Sequence, residues 1–544
     1  MCAVADLQHA RTWLHLLIDR MILRHFVLLF LLAVLGCDPE QKRADLIFVN
    51  GAEPETLDPS IITGQPEGRV VNALFEGLTT FNAEGKSGPG MAESWSVSED
   101  GKTYTFKIRP DAKWSDGRQL TAHDFVDSWK RTLSPETAAS YNYQLFYLKN
   151  AEAFAEGKIT DFSQVGAKAL DDQTLEVNLE NPTPFFLDLC ATPPLQPVPV
   201  DTIKKFGDDW VKPGKMISNG AYVLEDWRIN DRIRLKKNPH YWNGKNVSLE
   251  SVEVLPISVA TVAFNFYAGG LTDLIVDKNL TPNALLDELK KTPAFHSAPF
   301  AGIYFLRFNC SKPPFDDPRV RRAFSMAVDK RRIVEKITRA GELPATSFVP
   351  PGLAGYASPE GLPYDPEAAR RLLAEAGFPD GKGFPLTTFL YNESQQNRDI
   401  AVELQAMWVR HLGVKVNLAL QEWKVYLNSL SSLDYGIARS SWVGDYPDPN
   451  TFLDMFVTGN GNNRTGWSNP TYDRLIADAA KETDAERRLE ILREAETILI
   501  REQAPVCPIF YYVGIQLYDP DKLGGIESNI LDEHPVKAIY RKDR

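Results

Sequence analysis

The stretch PGMAESWSVSEDGKTYTFKIRPDAKWSDGRQLTAHDFVDSWKR, residues 89–131, decides the fold class of the chain. Within it, TYTFKIR (103–109) alternates apolar and polar side chains, which predicts a half-buried strand. KWSDG (113–117) predicts a tight turn, because Asp and Gly tolerate a positive φ. LTAHDFVDSWKR (120–131) predicts an amphipathic helix that Thr121 begins as its N-cap. A strand, a turn and a helix in succession indicate a mixed α/β protein.

The rest of the chain continues this mixture. TLEVNLE (174–180) alternates like the first strand. DPEAARRLLAEAGF (365–378) predicts a helix, with an Asp-Pro start and Gly377 as a left-handed cap at its end. Two longer helices are expected over residues 316–339 and 471–502. The sequence therefore predicts several strand and helix units rather than a bundle or a sandwich.

Composition and charge exclude several classes of protein. The 544 residues imply roughly three domains. There are 60 basic and 72 acidic residues, which give a net charge of -12. No cluster of Lys and Arg offers the basic surface that neutralisation of phosphates needs, so nucleic acid is excluded as a partner. The five cysteines lie far apart, which argues against a disulfide-dense scaffold.

The amino-terminal segment is typical of a secretory leader. Residues 26–35 (FVLLFLLAVL) are ten uncharged apolar residues that follow Arg24 and His25. A helix of this length covers roughly half of a ~30 Å hydrocarbon layer, too little for a stable membrane span. We therefore interpret it as the core of a signal peptide, with Met21 as the start of translation and residues 1–20 as an overrun.

The sequence around Cys37 resembles a bacterial lipobox. Val34, Leu35 and Gly36 precede the cysteine, which would be lipidated and become the first mature residue. An ordinary secreted protein cut nearby is the alternative, since small residues also mark ordinary cleavage sites. Asp38 resembles an inner-membrane retention signal. The hypothesis is a periplasmic or cell-surface protein that only a lipid anchor attaches to a bacterial membrane.

Signals for catalysis and for cofactors are missing. The mature chain keeps five histidines, none at ligand spacing from another, so no metal site is expected. GKS at residues 85–87 lacks the upstream glycine of a phosphate loop, because that position is Thr80. No nucleophile elbow of the form G-x-S-x-G occurs. The sequence predicts neither an enzyme nor a bound cofactor.

Several stretches are similar to extracytoplasmic solute-binding proteins of family 5, the peptide-binding components of ABC importers. They are VNGAEPETLDP (49–59), LFEGLTTF (74–81), the 89–131 segment, SNGAYVLEDWRINDRIRLKKNPHYWN (218–243), KPPFDDPRVRRAFSMAVDK (312–330), QEWKVYL (421–427) and ARSSWVGDYPDP (438–449). The resemblance covers essentially all of residues 46–513 and is greatest to the oligopeptide-binding branch.

The resemblance implies an α/β fold, a periplasmic-binding-protein-like clamp of two lobes (type II, cluster C) with an additional domain. The implied domains are a discontinuous lobe I (38–76, 200–300 and 513–544), the additional domain (77–199) and lobe II (301–512), after an overrun and leader over 1–37.

The resemblance also implies a function. A monomer would capture oligopeptides by hinge closure and deliver them to the permease and ATPase subunits of an ABC importer. The alternative ligands are a cell-wall peptide, a dipeptide, nickel or haem. A sensing or chaperone-like lipoprotein that uses the same clamp without transport is a further alternative.

Asp445 is the candidate that matters most for peptide binding. A receptor that ignores side chains must hold features common to all peptides, which are the ammonium group and the backbone. A buried carboxylate would bind the ammonium through charge-assisted hydrogen bonds. By resemblance Asp445, in the context WVGDY (442–446), is the family's amine-binding aspartate. From the residues alone, Asp beside Tyr-Pro is more typical of a turn than of a binding site.

The resemblance implies further ligand contacts around Asp445. Ser440, Ser441, Trp442 and Gly444 would present main chain and an aromatic wall. The remaining implied contacts are Arg439 for a ligand carboxylate, Trp423 and Tyr141 for side-chain pockets, Glu53 and Glu55 on the first strand, and Tyr511 and Tyr512 near the far hinge. For Tyr141, ordinary core packing is an equal alternative.

The chain departs from the family pattern at several positions. Asn397 stands where a histidine contacts longer ligands, and Leu430 stands where a further cation is found, so the recognition of the carboxyl end stays open. Gly302 and Val443 occupy the positions of a disulfide that the resemblance would place there. Three thiols are therefore expected to be isolated: Cys190, Cys310 and Cys507.

Overall fold

A large mixed sheet runs through the protein and is organised around two long strands. The structure is a computed structural model, and it describes residues 42–542. These residues fold as a compact unit that begins at Asp45. In chain order the strands are β1 (Leu46–Val49), β2 (Thr79–Phe81), β3 (Ser87–Pro89), β4 (Ala92–Val97), β5 (Thr103–Ile108), β6 (Ala167–Asp171), β7 (Thr174–Asn178), β8 (Tyr222–Arg228), β9 (Arg232–Lys237), β10 (Ser251–Leu255), β11 (Leu274–Ile275), β12 (Phe295–Phe308), β13 (Leu343–Pro344), β14 (Thr387–Asn392), β15 (Val416–Gln421), β16 (Ile437–Val443), β17 (Val506–Tyr518), β18 (Leu523–Gly524) and β19 (Tyr540–Arg541).

Helices are interspersed among the strands along the whole described chain. They are α1 (Gln65–Leu74), α2 (Ala122–Leu133), α3 (Ala151–Ala155), α4 (Phe186–Leu189), α5 (Val200–Phe206), α6 (Ala260–Ala268), α7 (Leu286–Leu289), α8 (Pro318–Met326), α9 (Lys330–Ile333), α10 (Pro366–Glu375), α11 (Gln395–Leu412), α12 (Trp423–Ser431), α13 (Asn450–Leu453), α14 (Pro470–Lys481) and α15 (Ala485–Thr497). Of these helices in residues 42–542, none combines the length and the apolar character that a membrane crossing needs.

The long strands β12 and β17 join the two halves of the large sheet. Its strand order is β15-β14-β16-β12-β17-β11-β1-β10-β9-β8. One end of the antiparallel β12–β17 pair lies beside β16, and the other end lies beside β11. The register between β12 and β17 shifts between Pro299 and Ile303, which divides the pair into two segments. This pair of strands therefore connects the two halves of the sheet.

Both faces of β12 are buried in its second segment. Tyr304, Leu306 and Phe308 pack into one hydrophobic cluster, whereas Ile303 and Phe305 pack into another on the opposite face. Successive side chains of a strand point to opposite faces, so the strand separates two cores. Gly302 pairs directly with Val443 across β12 and β16. The two positions that the resemblance assigns to a disulfide are thus cross-strand neighbours.

The 89–131 segment folds largely as its pattern predicts. Tyr104, Phe106 and Ile108 of β5 are buried, and the residues between them point outward. Gly117 has a φ of 89°, as the predicted turn requires. Thr121 caps α2 in a capping box with Asp124, whose Oδ2 accepts from the Thr121 amide at 2.7 Å. A separate antiparallel sheet β4-β5-β7-β6 packs with α2.

The two longer predicted helices are wrong as continuous elements. The first is broken after Met326, because the Asp329 side chain accepts from the Arg332 amide and begins a new helix. The second is broken between α14 and α15, where Asp484 caps the Arg487 amide in the same way. Apolar spacing continued across both breaks, but an aspartate at an N-cap position restarts the helix. The helix over 365–378 is confirmed as α10, with Asp365 as its N-cap.

The expected state of the cysteines is confirmed within the described residues. Cys190, Cys310 and Cys507 are all free thiols, and Cys190 and Cys507 are buried. The expectations for the leader, the start at Met21, Cys37 and Asp38 concern positions outside the described residues.

Trp129 tests how much α2 contributes to stability. Its side chain is fully buried, and its Nε1 donates to the Leu195 carbonyl at 2.9 Å. We expect Trp129→Ala to lower the free energy of unfolding by about 3–5 kcal/mol, since it leaves both a cavity and an unpaired carbonyl. Urea denaturation followed by circular dichroism measures this. The control is His123→Ala on the exposed side of the same helix; equal stability of the two variants would contradict the packing described.

Candidate functional site

A cavity of about 250 Å³ lies between segments from all parts of the described chain. This volume is just below the range typical of small-ligand sites, about 300–1,000 Å³. Nine of the residues expected from the sequence line it: Tyr141, Asn397, Trp423, Arg439, Ser440, Ser441, Trp442, Gly444 and Asp445. The structure thus brings together positions that are far apart in the sequence, such as 141 and 445.

Asp445 follows the end of β16 and points its carboxylate towards this cavity. Gln144 Nε2 donates to Asp445 Oδ2 at 2.9 Å, and the Asp445 amide donates to Thr451 Oγ1 at 3.1 Å. Among the side chains that the structure describes, no Lys, Arg or His nitrogen lies within 4.0 Å of the carboxylate. Asp445 is therefore held in place by neutral donors and has no cation of its own.

The electrostatic surroundings of Asp445 disfavour its ionised form. Burial raises the pKa of Asp445 to about 8, and the negative charges of Asp454 and Glu533 add to this effect. Burial likewise raises the pKa of Asp454 to about 7. A carboxyl group in such surroundings becomes more stable as an anion when a cation binds beside it. The site is thus suited to an ammonium group.

The edge of β16 next to Asp445 is open. On one side β16 pairs with β12 from Ile437 to Val443. On the other side β14 pairs with Ile437 and Ala438 alone, and beyond them no strand of the described chain continues the ladder. The Gly444 amide donates to Ala301 of β12, so by alternation the main-chain groups of Ser441 and Val443 point to the open edge. An extended ligand can pair with them as an added strand.

Arg439 lies on one face of β16 and is fixed by neutral groups. Its Nη1 donates to Asn392 Oδ1 at 3.1 Å, its Nη2 donates to the Tyr512 hydroxyl at 3.1 Å, and its guanidinium stands 5.1 Å from the centre of the Tyr304 ring. Asn397 lies beside it and donates through Nδ2 to Asn392 Oδ1 at 3.0 Å. These polar groups form one wall of the cavity.

Aromatic rings form the other walls. Tyr141 stacks on Trp442 with the ring centres 5.9 Å apart and the planes 8° from parallel. Trp423 stacks on Tyr426 at 5.7 Å. Tyr141 therefore both packs against an aromatic neighbour and lines the cavity, so the two interpretations of this residue from the sequence are compatible.

Four of the expected residues do not line the cavity. Glu53 accepts from Trp227 Nε1 at 2.7 Å and from the Asn230 amide at 2.9 Å. Glu55 is exposed, with Lys424 Nζ 4.0 Å from its Oε1. Tyr511 and Tyr512 are buried on opposite faces of β17, the first with its hydroxyl bonded to Ser347 and the second with its hydroxyl bonded to Arg439.

Sequence reasoning missed several residues that line the cavity, among them Gln144, Asn392, Arg307 and Arg464. Arg307 did carry a signal: it is an arginine within the apolar run of β12 and occupies a buried position. A charge in such a run calls for an explanation by a partner or a function. Gln144 carried no signal, because its role depends on a contact across 301 residues of sequence.

No group of three or more His, Cys, Asp or Glu side chains in residues 42–542 is arranged to hold a metal ion. The site thus combines the carboxylate of Asp445 with an open strand edge, aromatic walls and arginines. Together with two sheet halves joined by two long strands, it has the form of a ligand-binding protein of two lobes.

Comparison with known proteins agrees with this class. The model of the bacterial extracellular solute-binding proteins, family 5 (middle region), matches residues 86–464. The periplasmic oligopeptide-binding protein OppA of Salmonella typhimurium is 39% identical over 506 residues, which cover 91% of this chain and 92% of that protein. The chain belongs to the family 5 solute-binding proteins, a family of binding proteins and not of enzymes.

Solved structures agree with the two-lobed fold. Haemophilus influenzae OppA in complex with RPPGFSPFR is similar with a TM-score of 0.87 at 34% identity, covering 92% of this chain and 99% of that one. The murein tripeptide-binding protein MppA of Escherichia coli gives a TM-score of 0.87 at 36% identity, covering 92% and 99%. The unliganded open form of MppA gives a TM-score of 0.63 at the same identity, covering 92% and 98%. The fold expected from the resemblance is confirmed. By TM-score, the conformation of this chain is more similar to the first two structures than to the open form of MppA.

The raised pKa of Asp445 predicts that ionisation of this carboxyl group lowers the free energy of unfolding of the ligand-free protein. Between about pH 4 and 8 the folded protein keeps a proton that the unfolded chain has lost, so stability falls as pH rises through this window. Asp445→Asn cannot ionise and removes this cost. We expect the variant to gain thermal stability over the wild type at pH 8, and the gain to shrink towards pH 5.

Differential scanning calorimetry of both proteins without ligand measures this effect. Asp434→Asn, at an exposed aspartate of the same region, is the matched control and is expected to show no such trend. A difference between Asp445→Asn and wild type that is the same at pH 5 and pH 8 would contradict the assignment of the raised pKa.

Proposed function

We propose that this protein captures oligopeptides outside the cytoplasm and delivers them to an ABC importer. The observation that carries the proposal is the carboxylate of Asp445, without a cation among the described residues, at the end of a strand whose edge is open. The names of the relatives support it: one is an oligopeptide-binding protein 39% identical to this chain, and a second was solved with a nonapeptide.

The chemistry of the site fits the features that all peptides share. The ammonium group of the ligand would bind Asp445, and the charge-assisted bond would form where few waters compete. The ligand backbone would pair with Ser441 and Val443 at the edge of β16. Since the ammonium lies at the carboxyl end of β16, the ligand would run antiparallel to this strand. Affinity would thus depend little on the sequence of the peptide.

The domain layout fits capture by closure. We assign residues 38–76, 200–300 and 513–544 to lobe I, 77–199 to the additional domain and 301–512 to lobe II. The separate sheet β4-β5-β7-β6 falls within the proposed additional domain, and the long strands β12 and β17 cross between the proposed lobes. Closure would place lobe I residues such as Asp277 opposite Asp445. A ligand would favour the closed state only through contacts with both lobes.

The partners and location of the protein follow from this role. The permease would recognise the closed form, and separate ATPase subunits would supply the energy, so the protein would act as a monomer, without catalysis of its own and without a cofactor. We further propose that a signal peptide directs it across the inner membrane and that Cys37 carries a lipid anchor. The short apolar core before Cys37 and the lipobox-like VLGC (34–37) support this.

Binding to a tripeptide such as Ala-Ala-Ala tests the role of Asp445. Removal of one partner of a buried charge pair costs about 2–5 kcal/mol, so Asp445→Asn is expected to lose at least about 30-fold in affinity. N-acetylation of the tripeptide removes the same charge from the ligand and is expected to cause a similar loss. Isothermal titration calorimetry measures both effects.

The two changes are then combined. If the ammonium meets Asp445, acetylation costs little further affinity in Asp445→Asn, while Asp434→Asn binds like wild type. Wild-type protein that binds the acetylated tripeptide as tightly as the free one would refute the proposed contact.

Fractionation tests the lipid anchor. We expect the protein, expressed in a Gram-negative host, in the membrane fraction, and globomycin is expected to block its processing. Cys37→Ala is expected to appear in the soluble periplasmic fraction, whereas the control Cys310→Ala, which removes a thiol from the folded part, stays with the membrane. A Cys37→Ala protein that remains membrane-bound would count against lipidation.

A further inference from the structure

Two buried arginines line the cavity on the face of β16 opposite Arg439. Only 3% of Arg307 and 9% of Arg464 are exposed. Arg307 Nε donates to Ser440 Oγ at 2.9 Å, and Arg307 Nη1 donates to the Asn462 carbonyl at 2.8 Å. Ser440 and Arg439 are consecutive in β16, so their side chains point to opposite faces. The cavity thus has two separate cationic walls.

Neither Arg307 nor Arg464 has an anionic partner. Across residues 42–542, no carboxylate oxygen lies within 4.0 Å of either guanidinium. Arg464 Nε is buried and has no hydrogen-bond acceptor in this part of the chain. Burial lowers the pKa of Arg307 to about 10, and the positive charge of Arg464 contributes. Both cations are therefore held in the cavity wall at a cost in free energy.

Two buried arginines outside the cavity are compensated by hydrogen bonds. Arg488 makes a bidentate pair with Asp448, at 2.8 and 2.9 Å. Arg321, which lacks a carboxylate, donates instead to three main-chain carbonyls. Arg307 donates to one main-chain carbonyl and to Ser440 Oγ, whereas Arg464 has neither kind of partner among the described residues.

We propose that Arg307 and Arg464 form a subsite for a carboxylate of the bound peptide, foremost the side chain of a glutamate or aspartate. The inference rests on the proposed function, because it takes the peptide as the ligand of this cavity. Two guanidiniums match a carboxylate well, since each offers several donors in a planar fork. The anion would neutralise two charges that have no carboxylate partner within residues 42–542.

The geometry restricts which residues of the peptide can reach this subsite. A ligand strand paired with β16 points alternate side chains to opposite faces. The face with Arg307 also carries Ser440 and Trp442, whereas Arg439 and Ser441 lie on the other face. Every second side chain after the amino terminus would therefore point towards the arginines. The carboxyl terminus of a short peptide is the other source of the same chemical group.

A scan of tetrapeptides tests the subsite. The parent is Ala-Ala-Ala-Ala, and Glu, Gln or Lys replaces one residue at position 2, 3 or 4, each with a free or an amidated carboxyl terminus. We expect Glu to bind at least about tenfold more tightly than the isosteric Gln, and Lys to bind more weakly than Gln, at alternate positions only. Isothermal titration calorimetry gives the affinities.

Amidation distinguishes the two sources of the carboxylate. A preference for Glu that persists in amidated peptides identifies the side chain as the bound anion. A loss on amidation that the Glu, Gln and Lys peptides share, and that the arginine substitutions abolish, identifies the carboxyl terminus. Both results support the subsite.

Substitutions then connect the effect to the arginines. Arg464→Gln removes a side chain that makes no hydrogen bond within the described residues, so the fold is expected to tolerate it; Arg307→Gln is the second variant. Both are expected to lose the preference for Glu over Gln while they still bind the parent peptide. The control Arg371→Gln removes an equal charge from an exposed position of α10 and keeps the preference.

The outcomes separate this inference from the proposed function. If wild type binds the parent but binds the Glu, Gln and Lys peptides equally, with no effect of amidation, the subsite is refuted and the proposed function stands. If Arg464→Gln and Arg307→Gln both keep the preference, the subsite is also refuted. If wild type binds none of the peptides, the proposed function fails and the subsite falls with it.

Discussion

The site depends on one carboxylate that the protein leaves without a cation. Asp445 receives hydrogen bonds from neutral groups, and its neighbours Asp454 and Glu533 carry the same sign of charge. This arrangement destabilises the ionised ligand-free state and is relieved by a positive group in the cavity. Burial therefore raises the free energy of the ionised Asp445 carboxylate and, for the same reason, favours the binding of a cation beside it. Its position at the end of β16 joins this charge to an open strand edge.

Both anionic and cationic side chains line the cavity. Asp454 and Glu533 lie near Asp445, whereas Arg307, Arg464 and Arg439 line the cavity without carboxylate partners in the described chain. A peptide carries an ammonium at one end and carboxylates elsewhere, so the distribution of charge in the cavity is complementary to that of a peptide. Outside the cavity, the buried Arg488 is paired with Asp448.

The sequence predicted much of the fold and the centre of the site, and failed where distant contacts decide. Local rules identified β5 and the capped helices α2 and α10, because caps and alternation act within a few residues. They failed at Asp329 and Asp484, because the apolar spacing continues across these positions although a new helix begins at each of them. Resemblance placed Asp445 at the cavity, but Glu53 is bonded to Trp227 instead, a contact across 174 residues that no local pattern carries. Arg307 was visible as a charge in an apolar strand, yet its role needed the position of Arg464.

A crystal structure of the protein with Ala-Ala-Ala would show whether Asp445 binds the ammonium group. We expect the ligand nitrogen to lie about 3 Å from a carboxylate oxygen of Asp445, with the ligand main chain paired to Ser441 and Val443. A ligand bound elsewhere, with Asp445 turned towards bulk solvent, would contradict it.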